Sequence, residues 1–166
     1  FPWGVNLEHF SLENGRKDGQ RLRTSLGWEE NFIILCNRSW YPIYGVDVLA
    51  KAFVRSLSEN DSLRLILAGT GPQSDEILSI LAPVADKVYL TGRVDAEALP
   101  GIYSAADLFV SPSHSDGSSV SLLEAMACSR PVLVSDIPSN KEWITPGEAG
   151  ELFRDGDPVS LKEKMI

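Results

Sequence analysis

The 166-residue sequence has no apolar run approaching the ~20 residues a bilayer-spanning helix needs, and no signal-peptide pattern at its start. It holds two cysteines and two histidines, and no Cys/His cluster has zinc-ligand spacing; His9 and His114 stand far apart. Cys36 lies in an apolar run and Cys128 in a helical pattern, so both are expected to be buried and reduced, which fits a cytoplasmic setting. Basic residues are also in the minority. Fifteen Lys and Arg against 23 Asp and Glu leave a formal net charge of -8, which argues against a nucleic-acid partner held by general electrostatics. Small anions stay open, because local backbone geometry binds them on acidic proteins too. No repeat, low-complexity tract or internal linker interrupts the chain.

What is present is 43% apolar and 23% charged residues, in a length suited to one domain. From Phe32 onward short apolar strands alternate with helical patterns. Strands are expected at 32–36, 63–69, 87–92, 107–113, 131–136 and 150–153. Helices are expected from Val46 to Leu57, at 73–82, 97–106, 118–128 and 140–144, and from 157 onward. This alternation predicts an α/β fold, a Rossmann-like open parallel sheet of about six strands with helices on both faces. Ligands of such sheets sit beyond the carboxyl ends of the strands, so the loops 37–45, 69–72, 92–95 and 113–119 matter most. The sequence begins FPWGVN without a Met and stops at KEKMI within a helical pattern; one domain of a longer protein is expected.

SHSDGSS at 113–119 follows a strand and runs into a helix, which points the N–H groups of Ser118, Ser119 and Val120 outward. Free donors and the helix dipole together suit a phosphate, and Gly117 permits a close backbone approach. The same residues also fit a plain N-cap at Ser115 or Asp116, and the loop alone leaves both readings open. Glu124 tips the choice. It lies about two turns beyond Asp116, roughly 10 Å at ~1.5 Å per residue, which is about the span from sugar to ribose in a nucleoside-diphosphate sugar. Its neighbours Leu122, Leu123, Ala125, Met126 and Ala127 are apolar, and a carboxylate there needs partners.

Arg38, in NRSWYPIYG, suits a diphosphate gripped by paired hydrogen bonds, although strand-end arginines also serve surface salt bridges. GTGP at 69–72 lacks the GxGxxG spacing, which excludes a nicotinamide site on it. Asp155 and Asp157 form an Asp-x-Asp that is read as a strand end and helix cap rather than a metal site. His114 is read as a local structural residue.

Together these residues resemble the C-terminal, donor-binding domain of retaining glycosyltransferases of the GT-B fold, family 4 (glycosyl transferases group 1). PWGVN with Phe10 is similar to the family's Pro-x-Gly-Val-Asp…Phe segment, and NRSWYPIYGVDVLAKAF to its Arg…Lys-Gly-x-Asp-x-Leu…Ala-Phe block. LILAGTGP, LTGRV and YSAADLFVSPS resemble further segments, and DGSSVSLLEAMACSRPVLVSDIPSNKEWI the Glu-x7-Glu stretch with its sequel. The resemblance implies that Arg38 stabilises the leaving diphosphate and that Asp116 faces the donor sugar. It also implies that Ser118, Ser119 and Val120 bind phosphate and that Glu124 holds the ribose. Gly117, Tyr44 and Gly45 would border the donor, with Gly92 and Val94 beside the base. No cofactor or metal is expected, and the acceptor would be supplied by an N-terminal domain preceding this sequence, so the piece alone would bind donor without transferring it. The intact enzyme would work in the cytoplasm, at the inner membrane face for a lipid acceptor. Three positions depart from the pattern: Asp116 is shorter than the usual Glu, Tyr44 replaces a Lys, and Ser129 replaces a common Gly. A sugar-nucleotide epimerase on the same architecture and a non-catalytic nucleotide-sugar-binding subunit remain alternatives.

Overall fold

The structure, a computed structural model, describes residues 4–166; the first three residues of the FPWGVN segment lie outside the described residues. Six strands form one sheet: β1 (Phe32–Cys36), β2 (Leu63–Ala68), β3 (Val88–Gly92), β4 (Leu108–Ser111), β5 (Val132–Ser135) and β6 (Gly150–Phe153). All are parallel, in the order β3-β2-β1-β4-β5-β6. Helices α1 (Leu12–Leu26), α2 (Val46–Ser56), α3 (Ser74–Leu81), α4 (Leu99–Ala105), α5 (Val120–Ala127), α6 (Pro138–Lys141) and α7 (Pro158–Met165) complete it. This is the open α/β sheet that the sequence predicts.

The apolar runs are continuous because the central strands are buried on both faces. Along β1, Ile34 and Cys36 join the core under α2, α3 and α7, whereas Ile33 and Leu35 join the core under α4 and α5. All four are fully buried. The strand order reverses between β1 and β4: the chain runs outward through β2 and β3 on one side, and through β5 and β6 on the other. The loops after β1 and β4 therefore flank a crevice at the carboxyl edge, where open α/β sheets bind ligands.

The sequence pattern gave no sign of α1. Its interior glycines, Gly15 and Gly19, cost about 1 kcal/mol each in helix propensity. Tertiary packing explains them. A Cβ on Gly15 would lie 2.0 Å from the Pro100 carbonyl oxygen, and one on Gly19 2.8 Å from the Ala105 nitrogen, so α1 and α4 touch backbone to backbone. Ser11 caps the start by accepting from Asn14 N–H, and Gly27 ends the helix at φ 66°. Arg23 in the last turn then pairs with Asp107 at 2.9 Å, fastening α1 to the start of β4.

Helix α5 ends in a Schellman turn, with Ser129 N–H donating to Met126 O and Arg130 N–H to Ala125 O, both at 2.9 Å. Ser129 sits at φ 56°, the one non-glycine residue with positive φ among the described residues, in a conformation that glycine adopts at lower cost.

Candidate functional site

Arg38 leaves the end of β1 and crosses the crevice to the loop before α5. Its Nη2 lies 2.7 Å from Asp116 Oδ2, with only 12% and 15% of the two side chains exposed. The contact is ionic, since its geometry falls short of a hydrogen bond. Nη1 donates to Ser121 Oγ at 2.9 Å and more weakly to Ser119 Oγ at 3.4 Å. The Tyr44 ring lies against the guanidinium, with Arg38 Cζ 4.3 Å from its centroid. Position 44 is thus beside Arg38, and its aromatic ring braces the cation instead of adding a second one.

The two loops are stitched together. Gly45 takes φ 60°, and a Cβ there would meet the Pro112 carbonyl oxygen at 2.2 Å. His114 N–H donates to Ile43 O at 2.9 Å, while its Nδ1 lies 2.7 Å from Asp155 Oδ1. The Asp-x-Asp is therefore split. Asp157 caps α7 by accepting from Val159 and Ser160 N–H, as expected, whereas Asp155 pairs with His114 rather than simply ending the strand. Among the described residues no three His, Cys, Asp or Glu side chains are grouped to hold a metal ion.

Helix α5 begins at Val120 with Ser119 as N-cap, two residues later than the sequence pattern indicates. Asp116, Gly117 and Ser118 lie in the preceding loop, so Asp116 and Glu124 are not two helical turns apart. Five residues of rise, ~7.5 Å, separate Ser119 from Glu124, and the loop covers the rest. Among the described residues the N–H groups of Ser118, Ser119 and Val120 donate to no backbone or side-chain oxygen. They are free to meet an anion at the positive end of the helix. The fold does not itself require Gly117, because a Cβ there would meet nothing within 4 Å. A groove of about 480 Å³ opens beside this loop, lined by Asp116, Ser118, Ile137, Ser139 and Glu142 among others. A concavity of similar size, about 470 Å³, lies by Arg130, Pro131 and Gly150 at the opposite end of the strands. The carboxyl-edge groove is the candidate site because Asp116, the partner of Arg38, and Ser118 line it.

Glu124, on the next turns of α5, is half-buried. Its Oε2 accepts from the Tyr103 hydroxyl at 2.8 Å. Tyr103, on α4, is fully buried, and its oxygen accepts from Asn37 Nδ2 at 2.7 Å. Burial pushes the Glu124 carboxyl above its usual range, and the Tyr103 hydrogen bond and the nearby His9 pull against that shift. Burial first and the Glu124 charge second hold the Tyr103 phenol well above its ordinary value, so it stays a donor.

At the outer side of the crevice, Gly92 takes φ 67° and accepts from Gly69 N–H at 2.7 Å. A Cβ on Gly69 would come within 3.1 Å of Arg38 O, so the 92–95 loop, with half-buried Val94, adjoins the Arg38 backbone through Gly69. The glycines of GTGP serve close packing: a Cβ on Gly71 would lie 2.4 Å from Trp40 O. Cys36 and Cys128 are free and buried, and burial pushes each thiol up to about 11.

The structure thus gathers Arg38, Tyr44, Gly45, Asp116, Gly117, Ser118, Ser119 and Val120 around one crevice, with Glu124 further along the helix. Sequence reasoning missed Asn37, Tyr103 and Ser121. Asn37 directly precedes Arg38 at a strand end, a position that marks it as a candidate. Tyr103 reads as an ordinary core residue, and nothing in YSAA distinguishes its hydroxyl.

Comparison with known proteins bears on the family and the fold. The chain is 26% identical to the GDP-mannose-dependent monoacylated alpha-(1-6)-phosphatidylinositol monomannoside mannosyltransferase of Corynebacterium glutamicum, over 99% of this chain and 45% of that protein. It is 30% identical to the D-inositol 3-phosphate glycosyltransferase of Geodermatophilus obscurus, over 95% of this chain and 37% of that protein. The chain therefore spans less than half the length of these curated relatives. Among solved structures, Anabaena HepE in complex with UDP-glucose matches with TM-score 0.83 at 22% identity, over 96% of this chain and 44% of that one. The C-terminal domain of LpcC, a glycosyl transferase group 1 family protein of Francisella tularensis, matches with TM-score 0.81 at 21% identity, over 98% of this chain and 86% of that one. The shared fold is that of the C-terminal half of GT-B glycosyltransferases. Residues 30–166 match the family described as glycosyl transferases group 1, and the chain belongs to that family.

Proposed function

We propose that this chain is the donor-binding domain of a retaining, family 4 sugar transferase and that its ligand is a nucleoside-diphosphate sugar. The observation that carries this reading is the convergence, at the sheet's switch point, of a cation, a helix start with unpartnered N–H groups and a partly buried carboxylate. In the proposed complex Arg38 and the N–H groups of Ser118, Ser119 and Val120 receive the diphosphate. Glu124 accepts from the ribose hydroxyls, Gly92 and Val94 border the base, and Asp116 faces the sugar in the groove beside it. The relatives support the donor class: one is named as GDP-mannose-dependent, and another was solved with UDP-glucose. They do not choose the base.

Transfer would need the rest of a longer protein, whose N-terminal domain would bring the acceptor. There the bond from the anomeric carbon to the diphosphate oxygen breaks while the acceptor oxygen bonds to the same face. The acceptor's proton passes to the leaving phosphate. Arg38 and the helix N–H groups stabilise the charge growing on that phosphate, without a metal in the proposed scheme. Tyr44 in place of a second cation favours one other reading, a subunit that binds donor without catalysing. Turnover by the whole protein with any acceptor would exclude it.

The reading is tested by melting this chain with UDP-, GDP-, ADP- and dTDP-sugars, the matching free diphosphates, and the free sugars. At least one nucleotide should raise the melting temperature, and the sugars alone should not. No response to any nucleotide at millimolar concentration would overturn it.

A further inference from the structure

We infer that Tyr103 is a positioning residue for the nucleoside end of the site: from within the core, its hydroxyl fixes the Glu124 carboxylate that meets the ribose. The inference rests on the proposed role of Glu124 and extends it to two residues with no direct contact to the ligand, Tyr103 and Asn37. The phenol oxygen stands between three elements. It accepts from Asn37 Nδ2 at the end of β1, at 2.7 Å, and its single proton has two acceptors within reach on α5. These are Glu124 Oε2 at 2.8 Å and the Ser121 carbonyl at 3.1 Å. A charged carboxylate is the stronger and nearer acceptor, so the proton goes to Glu124.

This arrangement has consequences for the carboxylate. One oxygen of Glu124 is occupied by a donor that burial holds in place, since Tyr103 is fully buried between Phe10 and Phe109. The side chain loses its rotamer freedom before any ligand arrives. The second oxygen is left to accept from hydroxyls outside. Asn37 sets the direction of the phenol's proton by occupying its lone pair. Because Asn37 is followed directly by Arg38, the same strand end positions both the phosphate and ribose contacts. A phenylalanine would satisfy the packing of this site equally well, so the hydroxyl is not explained by the core alone.

The prediction is selective for the ribose. UDP, GDP and ADP would each be titrated against their 2′,3′-dideoxy forms, into the wild-type chain, Tyr103→Phe and Asn37→Ser. Wild type should prefer a ribonucleotide to its dideoxy form. Tyr103→Phe should lose roughly tenfold in affinity for the ribonucleotide, the size expected for a hydrogen bond to a charged group. Its dideoxy affinity should stay within about twofold, so that the preference collapses, and Asn37→Ser should show a smaller loss in the same direction. Equal losses for ribo and dideoxy forms would mean a merely structural role and overturn the inference. So would a preserved preference in Tyr103→Phe, or in Asn37→Ser should the first variant not fold. Wild-type binding without any ribose preference would overturn it while leaving the diphosphate site standing. Failure of every nucleotide to bind wild type would overturn both.

Discussion

Asp116, in the loop before α5, is neutralised by the same Arg38 that an incoming diphosphate would engage. Glu124, in the body of that helix, is held by a buried phenol that no ligand displaces. One end of the crevice is thus self-paired and must reorganise to bind an anion; the other is set before binding. The difference follows from where the groups sit. The loop residue meets an arginine from the neighbouring loop, whereas the helix residue accepts from the buried Tyr103 of α4. In the proposed complex, preorganisation would save ordering entropy at the ribose, and the ion pair would open the sugar end only for a ligand that replaces its charge.

The strongest way to break this contrast is to remove the shared cation. Arg38→Ala should weaken binding of the best free diphosphate by tenfold to a hundredfold, from about 1.5–3 kcal/mol for a charge-assisted contact. Isothermal titration would read it, and an unchanged affinity would place the phosphate elsewhere. A smaller effect is expected at the brace. Tyr44→Leu removes the ring from the Arg38 guanidinium and should cost about fivefold in the same titration, from ~1 kcal/mol for a half-buried cation–π contact. A gain would show that the ring obstructs the anion.

The smallest effect is on stability, and its sign is informative. Burial raises the Glu124 carboxyl above its ordinary 4.5, so the unfolded chain gives up this proton first. Stability associated with the protonated form is present below that value and is lost as pH rises through the folded-state value. Glu124→Gln carries no such loss. Its melting temperature should match wild type near pH 4 and exceed it slightly at pH 7, although the same change removes the proposed ribose contact. A lower melting temperature at pH 7 would show that the Tyr103 hydrogen bond outweighs burial.

Much of this was legible in the sequence. The unbroken apolar strands announced a sheet covered on both faces, and the strand-end position of Arg38 and the small-residue turn before α5 marked the crevice. What stayed hidden depends on tertiary contact. Gly15 and Gly19 weaken a helix locally and make sense only against Pro100 and Ala105. The start of α5 moved from 118 to Val120 because Ser115 and Asp116 are acceptable caps by residue type, while the backbone turns helical only after Ser119. The ring of Tyr44 against Arg38 depends on how the loop between them folds, and Tyr103 reaches Glu124 across 21 positions of the chain. Periodicity carries no information about such pairs.

The contrast between the two carboxylates reduces to one paired titration. UDP, GDP and ADP, without sugar, would be titrated at low salt into wild type, Asp116→Asn and Glu124→Gln. Freeing Arg38 from its partner should tighten a bare diphosphate by about tenfold, from roughly 1.5 kcal/mol for a mostly buried charge pair, with part of the gain fading as salt rises. Losing the ribose acceptor should weaken the same ligand by about tenfold. Shifts of opposite sign are therefore expected from two changes that each neutralise one carboxylate. Shifts of the same sign, or none from either, would contradict a nucleotide lying from Arg38 to Glu124.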